Sequence, residues 1–237
     1  MRKLKAAIVA SAVLGLAFTL GACATTPTAT PDEGTVQTPD PSDVTDPQMG
    51  AAWLDGGKYI ALVTYGSSSC VPVADTVTLE GDTISVEFVK EPADQMCTAD
   101  FAPRATVFAA PEGTDPTTDV TIVAAGFEGE ATLAGLRETP AEVPEGSPSA
   151  GWFDSNGGFV VLTWGSSSCP PVVDSVEATG DADVAIIFAT PDPAQACTRD
   201  MAPRATIAYV DGLSSQVDIT LLLTGDNITG TTVILGS

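Results

Sequence analysis

Two stretches invite a catalytic reading: "GSSSC" at Gly66–Cys70 and again at Gly165–Cys169. Three hydroxyls beside a thiol are raw material for acyl transfer, in which a serine or cysteine attacks a carbonyl. Such a nucleophile is weak by itself and needs an adjacent base. The chain contains no histidine, so neither a Ser-His-Asp triad nor a Cys-His pair can form. A Ser-Lys dyad would need a lysine in each copy, yet beyond the leader the only lysines are Lys58 and Lys90, both in the first. The nucleophile-elbow pattern Gly-x-Ser-x-Gly also lacks its second glycine, and no helical pattern follows. The corners therefore read as shape: a glycine ends a strand, small hydroxyls bond the turn backbone, and a cysteine pins it. No catalytic residue is assigned.

The other chemistry-bearing residues read in the same way. Zinc and copper sites draw on imidazole and thiolate, and no cofactor or metal is expected. Calcium needs only oxygen ligands, but "DSNGG" (154–158), with its faint Asp-x-Asn look, has only "DGG" (55–57) as its counterpart and reads as a hairpin turn. Arginine is scarce, yet Asp100 with Arg104 and Asp200 with Arg204 recur at one spacing. They are expected to form a structural ion pair tying a loop to the next strand, or to anchor a ligand carboxylate or sugar. Trp53, Tyr59 and Tyr65 in one copy, and Trp152, Phe159 and Trp164 in the other, would stack on sugars if exposed and form core if buried.

These residues sit in a duplicated body. "AAWLDGGKYIALVTYGSSSC" (51–70) matches "AGWFDSNGGFVVLTWGSSSC" (150–169), and "CTADFAPRAT" (97–106) matches "CTRDMAPRAT" (197–206) in eight of ten positions. Strands are predicted at 51–54, 59–65, 75–80, 83–90, 105–110, 119–125 and 131–136, then at 159–164, 174–178, 184–189, 205–210, 217–224 and 231–235. Glycine-bearing turns separate them and no helical stripe runs through them. The fold class is all-β: two tandem antiparallel β-sandwiches, immunoglobulin-like in the first instance, or small barrels, each with one disulfide. Repeat one spans 50–136 and repeat two 150–237, with a Pro/Glu-rich linker at 137–149 between them. Of five cysteines, four fall two per repeat, so Cys70 is expected to pair with Cys97 and Cys169 with Cys197. Such pairs belong in an oxidising compartment, and each closed loop would contribute about 3.5 kcal/mol by loop entropy.

The fifth cysteine ends the leader "MRKLKAAIVASAVLGLAFTLGAC", a basic start followed by an apolar run too short to span a bilayer comfortably. Its end, Leu20-Gly21-Ala22-Cys23, resembles the lipobox of bacterial lipoproteins. The resemblance covers only this leader, and implies a signal peptide over 1–22 and diacylglycerol on Cys23. A Thr/Pro/Asp-rich stretch over 23–49 then reads as a disordered tether. Loss of the leader removes three of nine bases, leaving 6 against 31 acids, a formal charge of −25. Such a field disfavours nucleic acid as a partner. The expected function is that of an extracytoplasmic protein held to the cell membrane by its lipid, a non-catalytic module for an envelope glycan or protein partner. The rivals are a carboxylate-based, glycosidase-like hydrolase, which needs no histidine, and a peptidase inhibitor displaying "CVPV" (70–73) and "CPPVV" (169–173).

Overall fold

A computed structural model describes residues 48–210 and 218–236, which belong to one compact unit. The leader, Cys23 and the tether up to residue 47 lie outside these residues. The last tether residue, Met49, packs on the first core.

The body is all-β. Repeat one carries β1 (Gly50–Leu54), β2 (Tyr59–Gly66), β3 (Ala74–Glu80), β4 (Thr83–Phe88), β5 (Ala102–Ala109), β6 (Val120–Ala124) and β7 (Ala131–Leu133). Repeat two carries β8 (Ser149–Trp152), β9 (Gly158–Gly165), β10 (Val173–Ala178), β11 (Asp183–Phe188), β12 (Ala202–Tyr209), β13 (Thr220–Gly225) and β14 (Ile228–Leu235). The one helical turn among the described residues is Asp55–Gly57, where Gly56 and Gly57 take positive φ.

In repeat one, β1-β2-β5 form one sheet and β3-β4-β6-β7 another. Alternate residues close a core between them: Trp53, Ile60, Leu62 and Phe108 from the first sheet meet Ile84, Val86 and Ile122 from the second. Repeat two builds the same core from Trp152, Phe159 and Val161 against Val184, Ile186, Leu221 and Leu223. Its two layers are joined along one edge, because β14 pairs with β13 and also with β8, giving the order β10-β11-β13-β14-β8-β9-β12.

One expectation is corrected. The pairing is not purely antiparallel, since β4–β6, β11–β13 and β14–β8 run parallel. The chain leaves the outer sheet after β4, crosses to the inner sheet for β5 and returns as β6, so β4 and β6 point the same way. The two repeats also pack directly on each other. Ala52, Leu54, Ala61 and Val63 of β1 and β2 face Phe153, Val160 and Leu162, forming a third core between the two inner sheets. Strands β2 and β9 are therefore apolar on both faces, which is why "IALV" (60–63) and "FVVL" (159–162) run without polar alternation. Gly151 permits the close approach: a β-carbon there would lie 2.2 Å from the Trp53 carbonyl oxygen. Across the same seam the Asp55 amide donates to Ser149 Oγ at 2.8 Å, and the Tyr59 ring meets the Trp164 ring edge-on.

Candidate functional site

The two serine–cysteine corners follow the inner strands β2 and β9 and are built alike. Disulfides join Cys70 to Cys97 and Cys169 to Cys197, each with Cα atoms 5.6 Å apart, in the pairing expected from the duplication. Cys70 and Cys169 are buried while their partners are exposed. Each bond holds a stretch without regular secondary structure, 89–101 or 189–201, against the corner.

The hydroxyls are all within one local network. Ser67 Oγ lies 2.8 Å from Thr98 Oγ1, and the Thr98 amide donates to Ser69 Oγ at 3.0 Å. Thr98 Oγ1 donates in turn to Asp100 Oδ1, which also accepts the Ser68 amide at 3.1 Å. Repeat two reproduces this with Ser166, Ser167, Ser168, Thr198 and Asp200. Ser68 and Thr98 hold the exposed Asp100 carboxyl down to about 2, and Ser167 and Thr198 do the same for Asp200. A carboxylate so acidic is a poor base for a serine proton. These corners can clasp; they are ill-suited to attack.

The expected ion pairs are not formed: Asp100 and Arg104 take different partners. Arg104 lies on β5 opposite Thr64 of β2 and donates through Nη1 to the carbonyls of Ser67 and Cys70. Arg204 donates to the carbonyls of Cys169 (3.0 Å) and Trp164 (3.2 Å). Acid and base thus brace the same corner through different groups, the acid through amides and hydroxyls and the base through carbonyls. Gly66 and Gly165 make room for the guanidinium, since a β-carbon on either would sit 2.7 Å from its Cζ. That is why each corner begins with glycine, and the amino-acid spacing by itself carries no sign of it. Thr98 and Thr198 were legible in principle, being part of the shared "CT-D" pattern.

A pH dependence follows with a definite sign. Unfolding returns Asp100 and Asp200 to the ordinary aspartate range near 4, so their contribution is present above about pH 4 and lost as pH falls towards 2. Thermal midpoints should drop across that window, and the drop should be shallower in the Asp100→Asn, Asp200→Asn double variant. Burial pushes Asp55 upwards against the pull of Lys58, so its contribution runs the other way, favouring the folded state as pH falls. Comparing melts of the two proteins at matched pH isolates the clasp.

The remaining candidates separate clearly. Trp53, Trp152 and Phe159 are buried core. Asp154 accepts the Asn156 and Gly158 amides at 2.8 Å each, closing the "DSNGG" turn on itself. Val71 and Val73 project outwards, but the carbonyls of Cys70, Pro72 and Val73 accept bonds from Arg104, Thr106 and Val89. The "CVPV" segment is thereby fastened to its own domain.

One feature escaped the sequence reading. Beside the second disulfide lies a cleft of about 570 Å³, reaching from Cys169 and Arg204 to the β11 exit at Ala189–Asp192 and the β13–β14 turn at Asp226–Asn227. Comparisons with known protein families, with curated proteins and with solved structures find no match to this chain.

Proposed function

We propose that the protein is an extracytoplasmic lipoprotein, anchored through Cys23, whose paired β-repeats form a rigid non-catalytic module for a cell-envelope glycan or protein partner. In fold terms we read each repeat as a sandwich of two strand layers, immunoglobulin-like in plan, made of two sheets in repeat one and of one continuous sheet in repeat two, and packed on its twin through the inner layers. Two closed disulfides point to an oxidising, extracytoplasmic location. No helix among the described residues is long and apolar enough to cross a membrane.

The observation that carries the non-catalytic reading is the occupation of every reactive group at the corners. The thiols are oxidised, all three serine hydroxyls at each corner bond the neighbouring threonine, and the aspartates are held strongly acidic. A carboxylate-based hydrolase is the second reading, because Asp192 and Asp226 line one cleft.

The anchor has a direct test in the native host. Wild-type protein should partition with membranes and yield an N-terminal peptide carrying diacylglycerol on Cys23. Cys23→Ala should move nearly all of it to the soluble fraction, since the acyl chains supply roughly 0.8 kcal/mol per buried methylene. Unchanged membrane partition of the variant would remove the lipoprotein assignment.

A further inference from the structure

The two repeats differ in the connection between their last two strands. In repeat one the connection between β6 and β7 runs from Ala125 to Glu130, and it folds Phe127 back onto Phe88 with ring centroids 5.6 Å apart. That ring caps the margin of the first core. In repeat two the corresponding connection is a two-residue turn, Asp226-Asn227, with both residues at positive φ. The turn supplies no ring; Phe188, the counterpart of Phe88, is buried in the second core, and a cleft lies beside the turn against Cys169 and Cys197.

The walls of this cleft select a kind of ligand. Pro170, Val172 and Ile228 give it apolar surface, while Thr190, Gln195 and Asn227 offer groups that both donate and accept hydrogen bonds. The arginine that lines it turns Nη1 and Nη2 towards the backbone carbonyls of Cys169 and Trp164, and its Nε is buried without a hydrogen-bond partner. Arg204 keeps its charge, but the carboxylates of Asp192 and Asp226 outnumber it, so the cleft is net negative in a molecule that is strongly acidic throughout. Phosphates and carboxylates are repelled from such a site. Uncharged polyols suit it, since they present both hydroxyl donors for the acids and C–H faces for the apolar wall.

We propose that the cleft of repeat two is a binding site for a neutral saccharide, and that repeat one, capped by Phe127, carries no equivalent site. The proposal rests on the binding-module reading above, and gives that reading a place and a ligand class. It fails separately from the anchor, because it is tested on protein without lipid.

The experiment uses the mature chain from residue 23, carrying Cys23→Ala, with amide resonances assigned. The probes are neutral tetrasaccharides of N-acetylglucosamine, glucose and mannose, with oligogalacturonate as the anionic comparison, each titrated to ~10 mM to reach weak affinities. At least one neutral probe should shift resonances of Thr190, Gln195 and Asn227 saturably, and oligogalacturonate should not. Thr190→Trp, which fills the cleft from its exposed rim, should weaken binding about tenfold or more, and Asp226→Asn about threefold to tenfold, since Asn tolerates the same backbone conformation. The matching change in repeat one, Lys90→Trp, should leave affinity unchanged. Melting curves of each variant confirm folding, and Asp226→Asn decides if Thr190→Trp fails to fold. The proposal is overturned if no neutral probe shifts cleft resonances, if oligogalacturonate binds as well, if Lys90→Trp weakens binding equally, or if new reducing ends appear and make the site hydrolytic.

Discussion

Replacing Cys70 and Cys97 by alanine is expected to lower the unfolding free energy by about 2–5 kcal/mol, and the Cys169, Cys197 pair by a similar amount. The reason lies first in the unfolded chain, where each bond removes the freedom of a loop spanning 27 or 28 residues. It lies next in the folded one, because the irregular stretch 89–101 is held to the corner by the disulfide together with a few bonds at Val89, Gln95, Thr98 and Asp100 and the Phe101–Tyr65 stack. For a body of this size that loss corresponds to a fall of roughly 5–15 °C in the melting midpoint. Calorimetry of the single-clasp and double-clasp variants measures it directly. Restoring no more than half a degree on reoxidation of the reduced wild type would show that the clasps contribute nothing. The effects of the two clasps should add, since they sit in different repeats and share no partner.

The second large effect is expected at Leu162, which is fully buried in the third core between the inner sheets. Leu162→Ala leaves a cavity that those flat, two-sided layers cannot easily collapse, and the cost should be about 2–5 kcal/mol. The informative reading is not the size alone but the shape of the transition. If the inner sheets couple the repeats, wild type melts in one step, whereas the variant broadens or splits as the halves begin to unfold separately. Leu223→Ala, inside the second core, should cost as much without splitting the transition. A single sharp step in both variants would mean that the third core does not control coupling.

Much of this architecture was legible in the residues. Duplication located both repeats, paired cysteines at matching positions located both clasps, and the alternation in "TISVEF" (83–88) located β4. The misses share a cause: they depend on what lies opposite in space. Strands β5 and β12 begin earlier than predicted, because Pro103 and Pro203 sit in strands at sheet edges, where a missing amide costs no ladder bond. Strand β8 was overlooked because it is four residues long, and its apolar character makes sense only beside β14 and β1. The four-residue spacing of Asp100 and Arg104 suggested a mutual pair, yet in extended chain the two side chains reach different parts of one turn. The cleft of repeat two is lined by residues from five separate stretches of chain, among them the Asp226-Asn227 turn, and no linear pattern announces their meeting.

The seam between the inner sheets also bears on how the protein ages outside the cell. A hydrolytic enzyme that nicks the exposed connection around Glu142 and Glu145 would sever the chain without parting the halves, because neither can leave without baring Ala61, Val63, Val160 and Leu162 to water. A nicked molecule would thus persist as a tight complex of its two fragments.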